Sequence, residues 1–147
     1  MTGQLPQFGM TPQPVRHVVE ELNGIGSAVL LMIETQAAVD DIEAIAATDG
    51  ADVLLVGSSD LSIELGVAGD FRNERFQRAL MMVAQACRKY GKILGLAGIY
   101  NEVDVLDWAV NELGVGFVLA QMDSGWLVKG CKETVGELRG IAERKRS

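Results

Sequence analysis

Two carboxylates stand where buried apolar runs stop. Glu34 directly follows Ala28-Val29-Leu30-Leu31-Met32-Ile33, and Asp60 lies just past Val53-Leu54-Leu55-Val56, beyond a Gly57-Ser58-Ser59 turn. A third, Asp123, comes after Gly116-Phe117-Val118-Leu119-Ala120 and Gln121-Met122. A carboxylate there is costly to bury unless it is paired or bound to a cation. Two such groups on adjacent strands repel each other, and a divalent ion removes the repulsion. Oxygen ligands with no second His or Cys nearby point to Mg²⁺ or Mn²⁺ rather than zinc, with Co²⁺ also admissible. Two protein carboxylates, with the other positions left to water and substrate, are normal for Mg²⁺. A plainer reading stands beside this one. Glu34 could cap a helix opening at Thr35-Gln36, and Asp60 could be the N-cap of Leu61–Leu65. The Gly57-Ser58-Ser59-Asp60 turn has a second use, because backbone N–H groups entering a helix attract a small carboxylate or phosphate.

The elements that must hold these groups can be read from periodicity. Ala28–Ile33, Val53–Val56, Ile93–Ala97 and Gly116–Ala120 are continuous apolar runs, the pattern of strands buried on both faces. Between them lie segments of helical spacing. A short helix carries Val15, Val18, Val19 and Leu22; Gln36–Ala47 carries Val39, Ile42, Ile45 and Ala46; a short piece runs from Asp60 to Leu65. Asn73–Lys89 places Phe76, Leu80, Val83, Ala84 and Cys87 on one face. Asn101 can cap a helix carrying Val103, Leu106, Ala109, Val110 and Leu113. A last helix carries Leu127, Cys131, Val135, Leu138 and Ile141 and runs into a basic Arg144-Lys145-Arg146 tail. Four strands joined by helical crossovers predict a parallel α/β sheet. In such folds ligands bind at the carboxyl ends of the strands, the rim where Glu34, Asp60, Gly98 and Asp123 fall. Residues 1–14 hold all three prolines and read as a flexible leader to one domain over 15–147.

Composition narrows the function classes. The chain has 147 residues and a formal net charge of −7, with a pI near 4.7, which argues against nucleic acid or an anionic membrane as partner. No apolar run reaches the about 18–20 residues of a membrane span, and the N-terminus lacks the pattern of a secretory signal. Two cysteines make no disulfide framework, so a soluble cytoplasmic protein is expected. Gly24-Ile25-Gly26 and Gly114-Val115-Gly116 precede strands, the wrong order for a dinucleotide fingerprint. Cys87 and Cys131 read as small buried hydrophobes. Lys92 and Lys129 are poorly placed for Schiff-base chemistry. Trp126, beside the rim, could line a pocket or an interface.

Taken together these stretches resemble a known family. Leu30-Leu31-Met32-Ile33-Glu34-Thr35, then Val53-Leu54-Leu55-Val56-Gly57-Ser58-Ser59-Asp60-Leu61-Ser62 with Leu65-Gly66, are similar to two signature stretches of the HpcH/HpaI aldolases. These are class II, metal-dependent pyruvate aldolases related to the citrate lyase β-subunit. Tyr90-Gly91-Lys92 and the run from Gly114 to Asp123 resemble the family's end, and the likeness is collinear from Ala28 to Ile141. It implies half of a TIM barrel of the phosphoenolpyruvate/pyruvate-binding type. It also implies that Glu34 and Asp60, 26 residues apart, ligate the metal. Amides around Ser58, Ser59, Asp60 and Leu61 would then hold the carboxylate of pyruvate or a related 2-oxo acid. Its keto oxygen would reach the cation, which stabilises the enolate formed on aldol cleavage. Family members often carry Gln two residues before the ligand Glu; here that residue is Met32.

The resemblance places a catalytic His, its Asp partner and a substrate-binding Arg on the first-half strands of a barrel of typically about 250 residues. None of the three lies in this chain, and its one histidine, His17, matches no catalytic position of the family. The expected protein is a carbon–carbon lyase acting on a small 2-oxo acid, self-associating because a half barrel leaves two sheet edges open. Two other readings stay open. One is a catalytically incomplete remnant that binds metal and oxo acid or acts as an assembly partner; the other is an unrelated open α/β binding domain.

Overall fold

The computed structural model describes residues 13–144. Its elements are α1 (Val15–Glu21), a π-helical turn (Leu22–Gly26), β1 (Leu30–Ile33), α2 (Gln36–Asp40), α3 (Ile42–Ala46), β2 (Val53–Gly57) and α4 (Ser58–Glu64). There follow α5 (Glu74–Tyr90), β3 (Ile93–Ala97), α6 (Val103–Asn111), β4 (Phe117–Leu119) and α7 (Asp123–Arg144). All strand pairs are parallel, in the order β1-β2-β3-β4. A doubly wound sheet reverses its strand order at a switch point. This one does not, and strictly sequential order is the winding of half a (β/α)₈ barrel.

Strand register sorts the side chains onto two faces. Leu31, Leu54 and Leu94 form one row, and Ile33, Val56, Leu96 and Val118 the next. These rows lie under the helices, where Leu54, Val56, Leu94 and Leu96 join Val39, Ile42, Phe76, Leu80, Val83, Val105 and Ala109 in one core. Burying each large apolar side chain of this set contributes about 1.5–3 kcal/mol. The longest of the covering helices is α5: the Asn73 side chain accepts from the Arg75 N–H at its start, and Gly91, at φ 64°, ends it. The same helix buries Cys87, whose thiol pKa burial pushes up to about 11. The opposite face carries Leu30, Val53 and Ile93, then Met32, Leu55, Gly95 and Phe117, then Gly57, Ala97 and Leu119. Val53 and Leu55 are buried there, whereas Leu30, Met32, Ile93 and Leu119 are exposed.

Several expectations change. Only β2 is buried along its whole length; β1 and β4 are largely exposed, because each is an edge strand and the inner face lacks a second layer. The helix expected over Gln36–Ala47 breaks at Asp41 into α2 and α3. The helix expected from Asp60 begins two residues earlier, at Ser58. Glu102, not Asn101, is the N-cap of α6, with no side-chain cap bond. No residue of α7 is buried, so Leu127, Val135, Leu138 and Ile141 face solvent, and Cys131 is exposed rather than packed. The leader, apart from Gln13 and Pro14, and the basic tail beyond Arg144 lie outside the described residues.

Candidate active site

Glu34 sits one residue past β1, half-buried, on the inner side of the sheet rim. Its side chain lies across Gly57, the last residue of β2. A Cβ built there would fall 2.6 Å from Glu34 Oε1 and 2.8 Å from its Cγ. Gly57 is thus the cradle of the carboxylate, a role its place in a turn did not reveal. A glycine closing an otherwise bulky strand is the signal that marks such an approach.

The chain enters α4 directly from Gly57, and Asp60 stands exposed in the first turn. Neither capping alternative is realised. Thr35 is the N-cap of α2, its hydroxyl accepting from the Ala38 N–H at 3.1 Å. Gly57 is the N-cap of α4, so Asp60 is inside the helix. Among the described residues neither Glu34 nor Asp60 has an ion-pair or hydrogen-bonding side-chain partner. Ser58 is fully buried, and its Oγ has no hydrogen-bond partner among the described residues. Leu61 is wholly in the core, so its side chain packs beneath the rim, and its N–H, the fourth of α4, falls within the helix's own bonding.

Two contacts hold this turn that sequence reasoning did not find. Gly98, after β3 and at φ +88°, passes so close that a Cβ would meet Ser59 Oγ at 2.9 Å and Ser59 N at 3.2 Å. Buried Ser62 donates from Oγ to the Ser59 carbonyl at 2.7 Å and accepts the Gly69 N–H at 3.0 Å. Beyond that loop, Arg72 grips Asp104 at 2.6 and 2.9 Å and Glu102 at 2.6 Å. The guanidinium holds the Asp104 carboxyl below its ordinary range, and the two carboxylates raise the pKa of Arg72 in return.

The expected trio of carboxylates does not assemble. Among the described residues no three His, Cys, Asp or Glu side chains stand close enough to hold one ion, and Asp123 accepts from the Ser124 N–H at 2.7 Å. Glu34 and Asp60 are the rim carboxylates without a side-chain partner among the described residues, and so the pair that could hold a divalent cation. That donor set fits a hard ion: oxygen only, unpaired, and with Glu34 given its space by Gly57. Lys92 is spent at the opposite end of the sheet, donating to the Thr48 and Ala51 carbonyls at 3.0 and 2.9 Å. Lys129 lies over the exposed Trp126 ring at 5.5 Å. Neither lysine is placed for a Schiff base. No helix among the described residues is long and apolar enough to cross a membrane.

The HpcH/HpaI aldolase/citrate lyase family profile matches residues 13–123. The chain is 42% identical over 141 residues to the 4-hydroxy-4-methyl-2-oxoglutarate aldolase tasA of Hapsidospora irregularis, covering 96% of itself and 52% of that protein. It is 47% identical over 127 residues to the 4-hydroxy-4-methyl-2-oxoglutarate aldolase cghB of Chaetomium globosum, covering 86% of itself and 47% of that protein. The chain therefore spans about half the length of these relatives. The crystal structure of an HpcH/HpaI aldolase from Desulfitobacterium hafniense DCB-2 superposes with a TM-score of 0.74 at 26% identity, over 89% of this chain and 49% of that one. A profile match over most of the length, two relatives above 40% identity and a sequentially wound half barrel agree: the chain belongs to the HpcH/HpaI aldolase/citrate lyase family.

Proposed function

We propose that this chain is the metal-binding half of a carbon–carbon lyase that reversibly cleaves an aldol to pyruvate or a related 2-oxo acid. The observation that carries the reading is Glu34 laid across Gly57 at the strand ends, with Asp60 in the first turn of the helix that follows. The relatives named as oxo-acid aldolases support the substrate class.

In this reading Glu34 and Asp60 hold Mg²⁺ or Mn²⁺, with Co²⁺ able to substitute. The bound cation supplies Lewis acidity that stabilises the negative charge developing when the carbon–carbon bond breaks. The backbone N–H groups of Ser58, Ser59 and Asp60, which open α4 and have no acceptor within the helix, orient the substrate carboxylate. Gly98 and Ser62 keep the turn in shape. Met32, two residues before Glu34 and on the same face, presents an apolar thioether toward the rim, where it can shape a pocket but cannot donate a proton. The general base comes from none of these residues. The protein works as an oligomer in the cytoplasm, in keeping with its two free thiols.

The test is metal-dependent deuterium exchange into the methyl group of pyruvate, comparing the native chain with Asp60→Ala. Exchange that requires Mn²⁺ and is lost in the variant is expected. No exchange above buffer, with the fold intact by circular dichroism, would sink the enzyme reading for this chain alone.

A further inference from the structure

Two loops meet at the turn that carries Ser59, and the first is shaped by hydrogen bonds more than by packing. Residues 66–73 lead from α4 to α5, and no side chain among them is buried. At the end of α4 the Gly66 N–H donates to the Ile63 carbonyl at 2.9 Å and the Val67 N–H to that of Ser62 at 2.8 Å, a Schellman pair. A turn over 67–70 follows, with Gly69 at φ +72° and the Asp70 N–H on the Val67 carbonyl at 2.9 Å. The Gly69 N–H then returns to the hydroxyl of buried Ser62, which itself donates to the Ser59 carbonyl. The second loop, 98–102, runs from β3 to α6 and is anchored in the core by Ile99. Its Gly98 lies against Ser59 with no room for a side chain. Arg72 joins the two loops, forked on Asp104 and bonded to Glu102. A planar guanidinium that meets a carboxylate through two N–H groups fixes orientation as well as distance.

These contacts close a ring. It runs from Ser59 to Ser62 and Gly69, along the loop to Arg72, across to Glu102 and Asp104, and back through 98–102 to Gly98 and Ser59. We propose that Ser62 and Arg72 are positioning residues that act through this ring to fix the aim of the Ser59 and Asp60 backbone N–H groups at the carboxylate of an oxo acid. The ligand rests on the function proposed above; the ring does not. Ser62 is fully buried, so it acts on a ligand only through the turn it holds. Its bond to a carbonyl three residues earlier would by itself stiffen one turn of helix. By also accepting the Gly69 N–H, it makes that turn depend on the whole loop, and Arg72 makes the loop depend on its anchored neighbour. Any one break frees the loop, so a second break adds little. Residues without a shared partner otherwise give additive effects.

The first measurement needs no ligand. Hydrogen–deuterium exchange read at single amides by NMR, on the chain without metal or oxo acid, is expected to show Gly69 exchanging about 5-fold faster or more in Arg72→Gln, although the Arg72 side chain bonds to neither Gly69 nor Ser62. The second is titration with sodium pyruvate at saturating Mn²⁺. Arg72→Gln and Ser62→Ala are each expected to raise the pyruvate Kd about 5-fold or more, with the Mn²⁺ affinity measured without pyruvate unchanged; a general loss of structure would weaken both. The double variant is expected to bind pyruvate like the weaker of the two single variants, because the ring is already open. Arg72 is exposed, so Arg72→Gln keeps the fold and carries the test even where Ser62→Ala does not fold. Unchanged Gly69 exchange in Arg72→Gln, or losses that multiply in the double variant, would overturn the proposal. A native chain that binds Mn²⁺ but no pyruvate, with Gly69 still accelerated in the variant, counts against the oxo-acid function alone. Pyruvate bound equally by the native chain and both variants counts against the positioning ring alone.

Discussion

At the scale of single residues, the site turns on the room that Gly57 leaves for Glu34. The glycine has φ −80°, a value any L residue accepts, so its importance is space and not backbone freedom. In Gly57→Ala the new methyl would lie 2.6 Å from Glu34 Oε1, and the carboxylate must move. Displacing a supporting residue of a metal site lowers affinity by about 10- to 100-fold. Isothermal titration with Mn²⁺ is expected to show a loss of that order, with the melting temperature little changed; an unaltered affinity would remove Glu34 from the ligand set. The position of Glu34 was legible because a carboxylate ending an apolar strand is conspicuous. Whether it served as a cap was not. That question is settled by Thr35, whose φ −126° and ψ 155° put its own hydroxyl in reach of the Ala38 N–H. Gly57 was seen as part of a turn, but its contact partner comes from another strand 23 positions earlier, and no local pattern encodes that pairing.

At the scale of elements, α5 carries the packing that keeps β2 and β3, and so the rim, in place. Phe76 is fully buried at its first turn and meets Phe71 with ring centroids 5.3 Å apart. Phe76→Ala is expected to cost about 3–5 kcal/mol through lost transfer energy and the cavity left behind, read from urea unfolding midpoints. A loss below about 1 kcal/mol would mean that the ring is not part of the core. Such helices were legible because their periodicity reports a nearby buried face: Phe76, Leu80, Val83 and Cys87 are buried as expected. Boundaries were less so. Val39, Ile42 and Ala46 keep one helical face across Asp41, and the break costs nothing in that pattern, so two helices read as one. The α7 stripe is just as regular, yet every residue of it is exposed. Periodicity tells that a face wants cover, not whether the same chain provides it.

At the scale of the whole molecule, the half barrel is tied across its surface by a few exposed ion pairs, and these set its response to acid. Lys89 meets Glu43 at 2.5 Å and the Tyr90 hydroxyl donates to the same carboxylate at 3.0 Å, joining α5 to α3. Arg72 joins the loop after α4 to the start of α6 through Glu102 and Asp104. Glu43 is held below its ordinary 4.5, chiefly by Lys89 and then by Tyr90, and Asp104 below its ordinary 3.8 by Arg72. A carboxyl depressed by folding contributes its stability above its unfolded pKa and loses it as pH falls through the folded one. Lys89, raised by Glu43, works the other way: its share is complete below 10.5 and fades only at still higher pH. The contribution is therefore flat through neutral pH and erodes in acid from 4.5 downward. Because all these groups are exposed, it is small and screened by salt. Urea midpoints for Glu43→Gln and Asp104→Asn should lie slightly below the native chain at neutral pH in low salt. The gap should shrink as the carboxyls of the native chain take up protons. A gap that stayed constant down to full protonation, or widened with added salt, would show that these substitutions act through packing instead of charge.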